Sequence, residues 1–166
     1  MRVLGIDPGS ETLGWGVVEG TGSKYALVEF GTVRSNSKMP FAERLLAVHA
    51  GLGDVIARHT PDVVSVEDTF YAANVSVAIK LGQVRGVVLL LAAQNGLEIA
   101  EYAPLLIKQT IVGYGAADKN QVGEMTRILL GLRQIPKPHD AADALAIAIC
   151  HFHHAGVNDR LKKIKG

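Results

Sequence analysis

Short apolar segments separated by turn residues fill the first third of the chain. Val, Leu and Ile dominate residues 3–7, 14–19 and 25–33, which predicts three strands. The turn residues at 8–10 and 20–23 leave short connections, so we expect these strands to form an antiparallel meander. A fourth strand is predicted over residues 63–67, directly after a proline and an aspartate.

After residue 40 the spacing of apolar residues becomes that of helices. Helices are predicted over 40–59, 75–95, 104–112, 118–130 and from about 138 to about 154, with a short strand over 97–102. Gly96 suits the end of the second helix, and Asp118 with Gln121 resembles a capping box at the start of the fourth. Strands first, then alternating helices and strands, predict an α/β sheet covered by helices.

The composition is that of one ordinary globular domain. The 166 residues are 48% hydrophobic and 20% charged, and the single Cys150 excludes an internal disulfide and fits a reducing cytoplasm. The formal net charge of +1 does not identify a nucleic-acid binder, so any such binding must come from local patches. We expect one domain over residues 1–156 and a basic, mobile tail over 157–166.

No membrane or export segment is expected from the sequence. The longest uninterrupted apolar run, residues 87–93, is too short to cross a bilayer, which needs about 20 residues. Asp7 also stands too early in the chain for a signal peptide. We therefore predict a cytoplasmic protein without membrane partners.

Four carboxylates stand in surroundings that disfavour charge. Asp7 ends the first apolar strand, Glu67 ends the fourth, and Asp140 and Asp143 lie among small and apolar residues of the last helix. A buried charge is costly unless it is paired or binds a metal ion. Ligands of α/β sheets bind outside the strand ends, and the i, i+3 spacing puts both aspartates on one face of the helix. The pattern predicts a shared site for Mg²⁺, which prefers carboxylate oxygens.

Each acid also has a structural explanation when it is taken alone. Residues 7–9 are a turn signal, Asp140 favours the helix dipole, and Glu67 fits a loop at a strand end. The metal site is the better hypothesis because one explanation covers all four acids.

A second candidate metal site lies near the end of the last predicted helix. Cys150 and His154 are spaced i, i+4, which zinc could in principle use, but no second ligand pair with metal spacing stands elsewhere. A buried cysteine beside helix-end histidines at 151, 153 and 154 is the simpler interpretation. His139, directly before Asp140, has no role that the sequence assigns.

Five blocks of the sequence closely resemble one known family, in the same order. The blocks are VLGIDPGS at 3–10, VE at 66–67, KLGQVRG at 80–86, IKQTIVG at 107–113 and DAADALAIA at 140–148. They resemble the RuvC family of bacterial Holliday junction resolvases, from residue 3 to about residue 151. The resemblance implies a ribonuclease H-like α/β fold, with a five-stranded mixed β-sheet flanked by helices on both faces.

The resemblance also implies an activity and its residues. The activity is Mg²⁺-dependent endonucleolytic nicking of four-way DNA junctions in recombination and repair, with Asp7, Glu67, Asp140 and Asp143 in the catalytic and metal-binding positions. Two ions in a site can activate a water and stabilise the leaving oxygen of a phosphodiester. We expect two Mg²⁺ ions in each site, with Mn²⁺ as an alternative ion.

Several basic residues and one aromatic residue are candidates for DNA contacts. By the resemblance, Lys108 and Lys119 match basic positions beside the active site, and Phe70 matches an aromatic residue that inserts at the junction. Lys80 and Arg85 are further candidates for phosphate contacts, which bind without reading sequence. Arg127 is a candidate of the same kind as Arg85. The structural alternatives are solvation for each basic residue and packing onto the core for Phe70.

The predicted helix over 75–95 carries apolar residues all round its axis. Such a helix must be covered on more than one side, either at the centre of the core or between the sheet and a second subunit. A symmetric dimer would present two identical sites to the two strands of a junction that must be cut. The resemblance implies a homodimer, and it implies the branch-migration proteins RuvA and RuvB as partners.

Two other functions fit parts of the sequence. Residues 7–12 resemble a phosphate-binding hairpin of actin-like proteins, but such proteins clamp a nucleotide between two domains and this chain offers one. A junction-binding scaffold without catalysis is the third hypothesis, and four uncompensated acids would make such a binder repel phosphate. The acids therefore favour the nuclease.

Overall fold

The computed structural model describes residues 1–21, 24–68 and 74–165, with side chains as far as residue 155. Phe70 and the rest of the segment 69–73 therefore lie outside the described residues. The elements are β1 (Arg2–Asp7), β2 (Thr12–Thr21), β3 (Lys24–Arg34), α1 (Phe41–His59), β4 (Val63–Glu67), α2 (Val75–Gln94), β5 (Glu98–Tyr102), α3 (Pro104–Val112), α4 (Lys119–Leu129) and α5 (His139–Lys165).

The five strands form one mixed sheet in the order β3-β2-β1-β4-β5. β1, β2 and β3 are the predicted antiparallel meander, and β4 and β5 continue the sheet parallel to β1. Because successive side chains of a strand point to opposite faces, Val3 packs in one core while Leu4 and Ile6 pack in the other. The first core contains α3, α4 and α5, and the second contains α1 and α2. The expected five-stranded mixed sheet with helices on both faces is confirmed.

Local signals in the sequence account for several element boundaries. Asp118 accepts a hydrogen bond from the backbone N–H of Gln121, whose side chain accepts one from the N–H of Asp118, so the capping box is formed. Pro104 occupies the first turn of α3, and Gly113 ends that helix with φ of 96°. Gly96, with φ of 66°, follows Asn95 at the end of α2.

The last helix is longer than the sequence pattern predicts. α5 runs to Lys165, so the expected end near residue 154 is wrong. No proline interrupts residues 139–165, and Leu, Lys and Arg, which favour helices, are frequent in the last turns. The division into a domain over 1–156 and a tail over 157–166 stays a prediction.

Only one face of α2 is covered within the described residues. Val84, Val88, Leu91 and Ala92 are its buried residues, so the alternative of a helix at the centre of the core is wrong. By length and composition alone α2 could also cross a bilayer, which the short run at 87–93 did not indicate. Helices that cover the core of a soluble protein can have the same length and composition. The large exposed apolar residues of α2 are Val75, Val77, Ile79 and Leu90.

Candidate active site

Three of the four predicted acids meet in one cavity. β1 and β4 pair in parallel, with Ile6 opposite Val66. Asp7 and Glu67 are the next residue of each strand, so they lie side by side at neighbouring strand ends. Asp143, near the start of α5, lines the same cavity of about 310 Å³. The remaining lining residues are Lys108, Lys119 and the apolar group Pro104, Ile107, Val122, Ala146 and Ile147. Asp140 is half-buried and is not among the lining residues.

Glycines in β1 and β2 let α5 lie against the backbone of the sheet. A Cβ atom on Gly5 would stand 2.0 Å from the carbonyl oxygen of Ala144, and one on Gly14 would stand 2.0 Å from that of Asp140. On β4 the hydroxyl of Ser65 donates to the carbonyl oxygen of Ile147 at 3.1 Å. This close packing brings the first turns of α5, with their aspartates, to the strand end that carries Asp7.

The cavity holds more negative charge than its surroundings favour. Burial raises the pKa of Asp7 to about 8, with further increases from Glu67, Asp143 and Asp140 and an opposing effect of Lys119. Burial also raises the pKa of Glu67, as does Asp143, against Lys119 and Lys108. These shifts arise because several carboxylates share a site from which water is largely excluded.

Lys119 is the cation that binds most directly to the acids. Its ammonium group donates to Oδ2 of Asp143 at 3.2 Å, and the negative charge of Asp143 raises the pKa of Lys119. The lysine side chain is 75% exposed, so this ion pair is a weak one that solvent screens. Asp143 is therefore free to exchange Lys119 for another positive partner.

The side chains of the cavity are of the type that binds a divalent cation, but as they lie they do not form a complete set of ligands. Among the described residues, no three Asp, Glu, His or Cys side chains stand close enough together to hold a metal ion as they lie. The donor set is nonetheless made of carboxylate oxygens, which hard cations such as Mg²⁺ prefer. Asp7, Glu67 and Asp143 line one cavity, and each of them offers such oxygens.

The other predicted site residues divide into two groups. Lys108 and Lys119 line the cavity with the acids. Lys80 is exposed on α2, and its ammonium group lies 5.9 Å from the ring centroid of Phe41. The guanidinium of Arg85 is engaged by Glu101 and, at 3.4 Å, by Asp68.

Two features of the site were missed by reasoning from the sequence. One is the pairing of Arg85, whose partners are distant in the chain and carry no motif. The other is the apolar wall that Ile107 and Val122 of α3 and α4 give the cavity. The helical periodicity that indicated α3 and α4 could have shown that these residues face inwards.

The histidines in the middle of α5 hydrogen-bond to hydroxyl groups. The rings of His151, His153 and His154 hydrogen-bond to Tyr102, Tyr25 and Thr110, at 3.0, 2.7 and 3.1 Å. Cys150 is buried, which raises its pKa to about 11, so the thiol stays protonated at neutral pH. These contacts favour a buried cysteine over a zinc site, but the expected helix-end position of the histidines is wrong, because α5 continues to Lys165. Arg127 on α4 pairs with Glu124.

Replacing Asp7 by Asn is expected to stabilise the metal-free protein at alkaline pH. The pKa of Asp7 is 3.8 when unfolded and about 8 when folded, so the native state binds the extra proton between these values. Stability therefore falls as pH rises from about 4 to 8 and stays low above 8. Since each pKa unit is worth about 1.4 kcal/mol, Asp7→Asn should add a few kcal/mol at pH 8.5 and almost nothing at pH 4.

Urea unfolding in EDTA at these two pH values measures the effect. Asp54→Asn, at an exposed position of α1, is the matched control and should not change the dependence on pH. Equal stability of Asp7→Asn and the parent at pH 8.5 would contradict the assignment of Asp7 to a charge-disfavouring site.

Comparisons with known proteins give one consistent result. The family model described as crossover junction endodeoxyribonuclease RuvC matches residues 3–151. A protein of that name from Chloroflexus aurantiacus is 51% identical over 155 residues, 93% of this chain and 94% of the relative. One from Rhodopseudomonas palustris is 51% identical over 164 residues, 99% of this chain and 94% of the relative.

Solved structures agree with the sequence comparisons. The Thermus thermophilus RuvC in complex with Holliday junction substrate has a TM-score of 0.90 at 38% identity, over 95% of this chain and 96% of that one. The yeast mitochondrial Holliday junction resolvase has a TM-score of 0.67 at 16% identity, over 98% and 84%, a likeness of fold alone.

Proposed function

The chain belongs to the RuvC family of crossover junction endodeoxyribonucleases, and we propose that it cuts junction DNA with Asp7, Glu67, Asp140 and Asp143. It is a nuclease that binds and resolves Holliday junctions, and the nucleases of this family depend on a metal ion. The observation that carries the residue assignment is the cavity that Asp7, Glu67 and Asp143 share with Lys108 and Lys119. Asp140, one helical turn from Asp143, adds its charge to the same site.

We propose Mg²⁺ as the ion, two in each site, with Mn²⁺ as an alternative. The carboxylates of Asp7, Glu67, Asp140 and Asp143 would hold the ions. Such ions, when bound, supply activation of a water molecule and stabilisation of the leaving oxygen of the phosphodiester. The proposal is supported by the oxygen donors and by the raised pKa values of Asp7 and Glu67, since a nearby cation favours their charged forms.

The two lysines of the cavity would orient the DNA backbone. Lys108 and Lys119 lie among acids that by themselves repel phosphate, and their ammonium groups offset part of that repulsion. Ile107 and Val122 line the cavity beside them and limit the entry of bulk water. The two lysines would thus attract a phosphate group, and the apolar residues would keep much of the water out of the cavity.

Further DNA contacts are proposed outside the cavity. The segment 69–73 begins two residues after Glu67, so Phe70 is close in sequence to the site, and we propose that it inserts at the junction. Lys80, exposed on α2, is proposed to contact phosphate. We also propose a cytoplasmic location, because the substrate is DNA and the lone Cys150 fits a reducing compartment.

We propose that the protein is a homodimer. The exposed apolar residues of α2 are a surface that a second copy could cover, and four of them are large: Val75, Val77, Ile79 and Leu90. A symmetric interface would give two identical sites for the two strands of a junction. RuvA and RuvB remain proposed partners, without an assigned docking surface.

Junction cleavage by the purified protein tests the proposed function. A four-way junction labelled on each strand in turn should be nicked symmetrically in Mg²⁺, whereas linear duplex of the same sequence should stay intact, because the duplex has no branch point. Denaturing gels give the cut positions, and EDTA should stop the reaction. Equal cutting of the duplex, or no cutting in either Mg²⁺ or Mn²⁺, would contradict the proposal.

A cruciform in a supercoiled plasmid extends the same assay to the dimer. Two sites that act in one binding event convert the plasmid directly to a linear form, whereas independent monomers release nicked circles first, since one nick relaxes the cruciform. Accumulation of nicked circles before linear product would contradict the paired action of two subunits.

A further inference from the structure

Arg85 of α2 contacts two carboxylates near the end of β4, the strand that carries Glu67. Its guanidinium forms an ion pair with Glu101 on β5 and lies 3.4 Å from Oδ1 of Asp68. Glu101 stands opposite Val66 in the pairing of β4 with β5. Val66 packs in the core that contains α1 and α2, so Arg85 of α2 reaches the sheet from that face.

Glu67 points to the opposite face of the sheet. Its cavity is lined by α3, α4 and α5, and Ser65, two residues earlier on β4, bonds to α5. Alternation along the strand therefore directs Glu67 to the cavity and its neighbours Val66 and Asp68 to the side of α2. Arg85, which contacts Asp68 from the α2 side of the sheet, therefore constrains the backbone that carries Glu67.

Asp68 is held at two points. Its backbone N–H donates to the carbonyl oxygen of Tyr102 at 2.9 Å, which continues the hydrogen bonding of β4 with β5 beyond Glu67. Its carboxylate faces the guanidinium of Arg85. Together these contacts hold Asp68, the residue directly after β4, against β5 and α2.

The effect of Arg85 on Glu67 is one of geometry. The charged groups that shift the pKa of Glu67 are Asp143, Lys119 and Lys108, all on the cavity side. A planar guanidinium can bond to two carboxylates at once, which the single ammonium of a lysine does less well. The side chains of Arg85 and Asp68 are 20% and 24% exposed, so this ion pair is better shielded from solvent than an ordinary surface pair. Glu101 is 42% exposed, and its pair with Arg85 is screened more.

We propose that Arg85 is a positioning residue for Glu67. Its Nη2 forms ion pairs with Asp68 and Glu101, and these pairs hold the end of β4 so that the Glu67 carboxylate faces Asp7 and Asp143. This assignment differs from a direct contact of Arg85 with DNA phosphate, and it rests on the proposed function of Glu67 as a catalytic acid.

Four variants separate positioning from DNA binding. Arg85→Lys, Arg85→Gln, Asp68→Ala and Glu101→Gln should lower the single-turnover rate at saturating protein by roughly 10–100-fold, as loss of groups that orient metal ligands does. The Mg²⁺ concentration for half-maximal rate should rise, because a misdirected Glu67 binds the ion less well. Junction affinity in EDTA should change less than about twofold, since phosphate contacts are kept.

Arg58→Gln is the matched control. This exposed arginine pairs with Glu29, away from the cavity, so its loss should leave rate and Mg²⁺ requirement at parental values. Thermal melting verifies that the variants are folded. If the Arg85 variants unfold, Asp68→Ala still tests the proposal, because this variant keeps the ion pair of Arg85 with Glu101. Partial recovery by Arg85→Lys relative to Arg85→Gln is expected.

Three outcomes overturn the inference. If Asp68→Ala and Arg85→Lys keep the parental rate and Mg²⁺ requirement, Arg85 does not position Glu67, and the proposed function is unaffected. Weaker junction binding by the Arg85 variants, with a parental rate at saturation, would assign Arg85 to phosphate instead. A parental protein that cuts no junction would overturn the proposed function and the inference with it.

Discussion

Glu67→Gln is expected to reduce junction cleavage at least roughly a thousandfold, which corresponds to about 4 kcal/mol of lost transition-state stabilisation. Glutamine keeps the shape of the side chain but replaces a charged oxygen donor by a neutral amide, a poor ligand for Mg²⁺. Junction binding should stay at the parental level or rise slightly, because one negative charge leaves a cavity that receives phosphate. Single-turnover cleavage in Mg²⁺ and gel shifts in EDTA measure the two effects.

Glu98→Gln supplies the matched control for this loss. Glu98 pairs with Val63 where β4 and β5 begin, whereas Glu67 pairs with Tyr102 where they end, so the same change is made at the opposite end of the strands. The control should cut at the parental rate. Cleavage by Glu67→Gln at that rate would show that Glu67 is not a catalytic acid and that the strand-end site is misassigned.

The hydrophobic pattern predicted most elements because their ends carry strong local signals. β4 and α3 were predicted at their observed bounds, Val63–Glu67 and Pro104–Val112. A proline and a left-handed glycine delimit α3, and these residues act through their own backbone geometry. Boundaries of this kind need no knowledge of tertiary contacts.

The end of α5 and the cover of α2 could not be predicted in the same way. α5 continues to Lys165 through Gly156, although glycine often ends a helix, so the local signal there favours an earlier end than the one observed. The apolar residues of α2 surround its axis, so the sequence could not show which of them face the core. Tertiary packing decides both features, and it buries Val84 and Val88 but leaves Ile79 and Leu90 exposed.

The convergence of the acids followed from regular geometry. Strand direction brings Asp7 and Glu67 to one edge, and helical spacing brings Asp140 and Asp143 to one face, so the sequence could indicate a common site. The absence of Asp140 from the cavity lining and the pairs of Arg85 depend on register between elements far apart in the chain. Register of that kind has no local signal.

The fold also explains why the site stays assembled despite its repulsion. The pKa values of Asp7 and Glu67 are raised, so their charged forms are disfavoured in the metal-free protein. The surrounding strands and α5 are among the most buried parts of the molecule, and their packing offsets this local cost. The buried packing of the strands and α5 thus stabilises the fold enough to tolerate the cluster of acids.

Gly14→Ala is expected to reduce cleavage by at least roughly 100-fold, since a 1 Å misplacement of reacting groups can cost that much. Gly14 pairs with Asp7 in the sheet, and a Cβ atom there would lie 2.0 Å from the carbonyl oxygen of Asp140. The methyl group must push the first turn of α5 away from β2, which separates Asp140 and Asp143 from Asp7 on the neighbouring strand. Overpacking should also cost about 1–3 kcal/mol of stability, measurable by urea unfolding.

Gly53→Ala tests whether this effect belongs to the contact with α5 or to any loss of a glycine. Gly53 lies within α1, and a Cβ atom there meets nothing within 4 Å. Alanine in a helix is favoured over glycine by about 1 kcal/mol, so this variant should be slightly more stable and cut at the parental rate. If folded Gly14→Ala cuts junctions as fast as Gly53→Ala, the close approach of α5 to β2 does not position the acids.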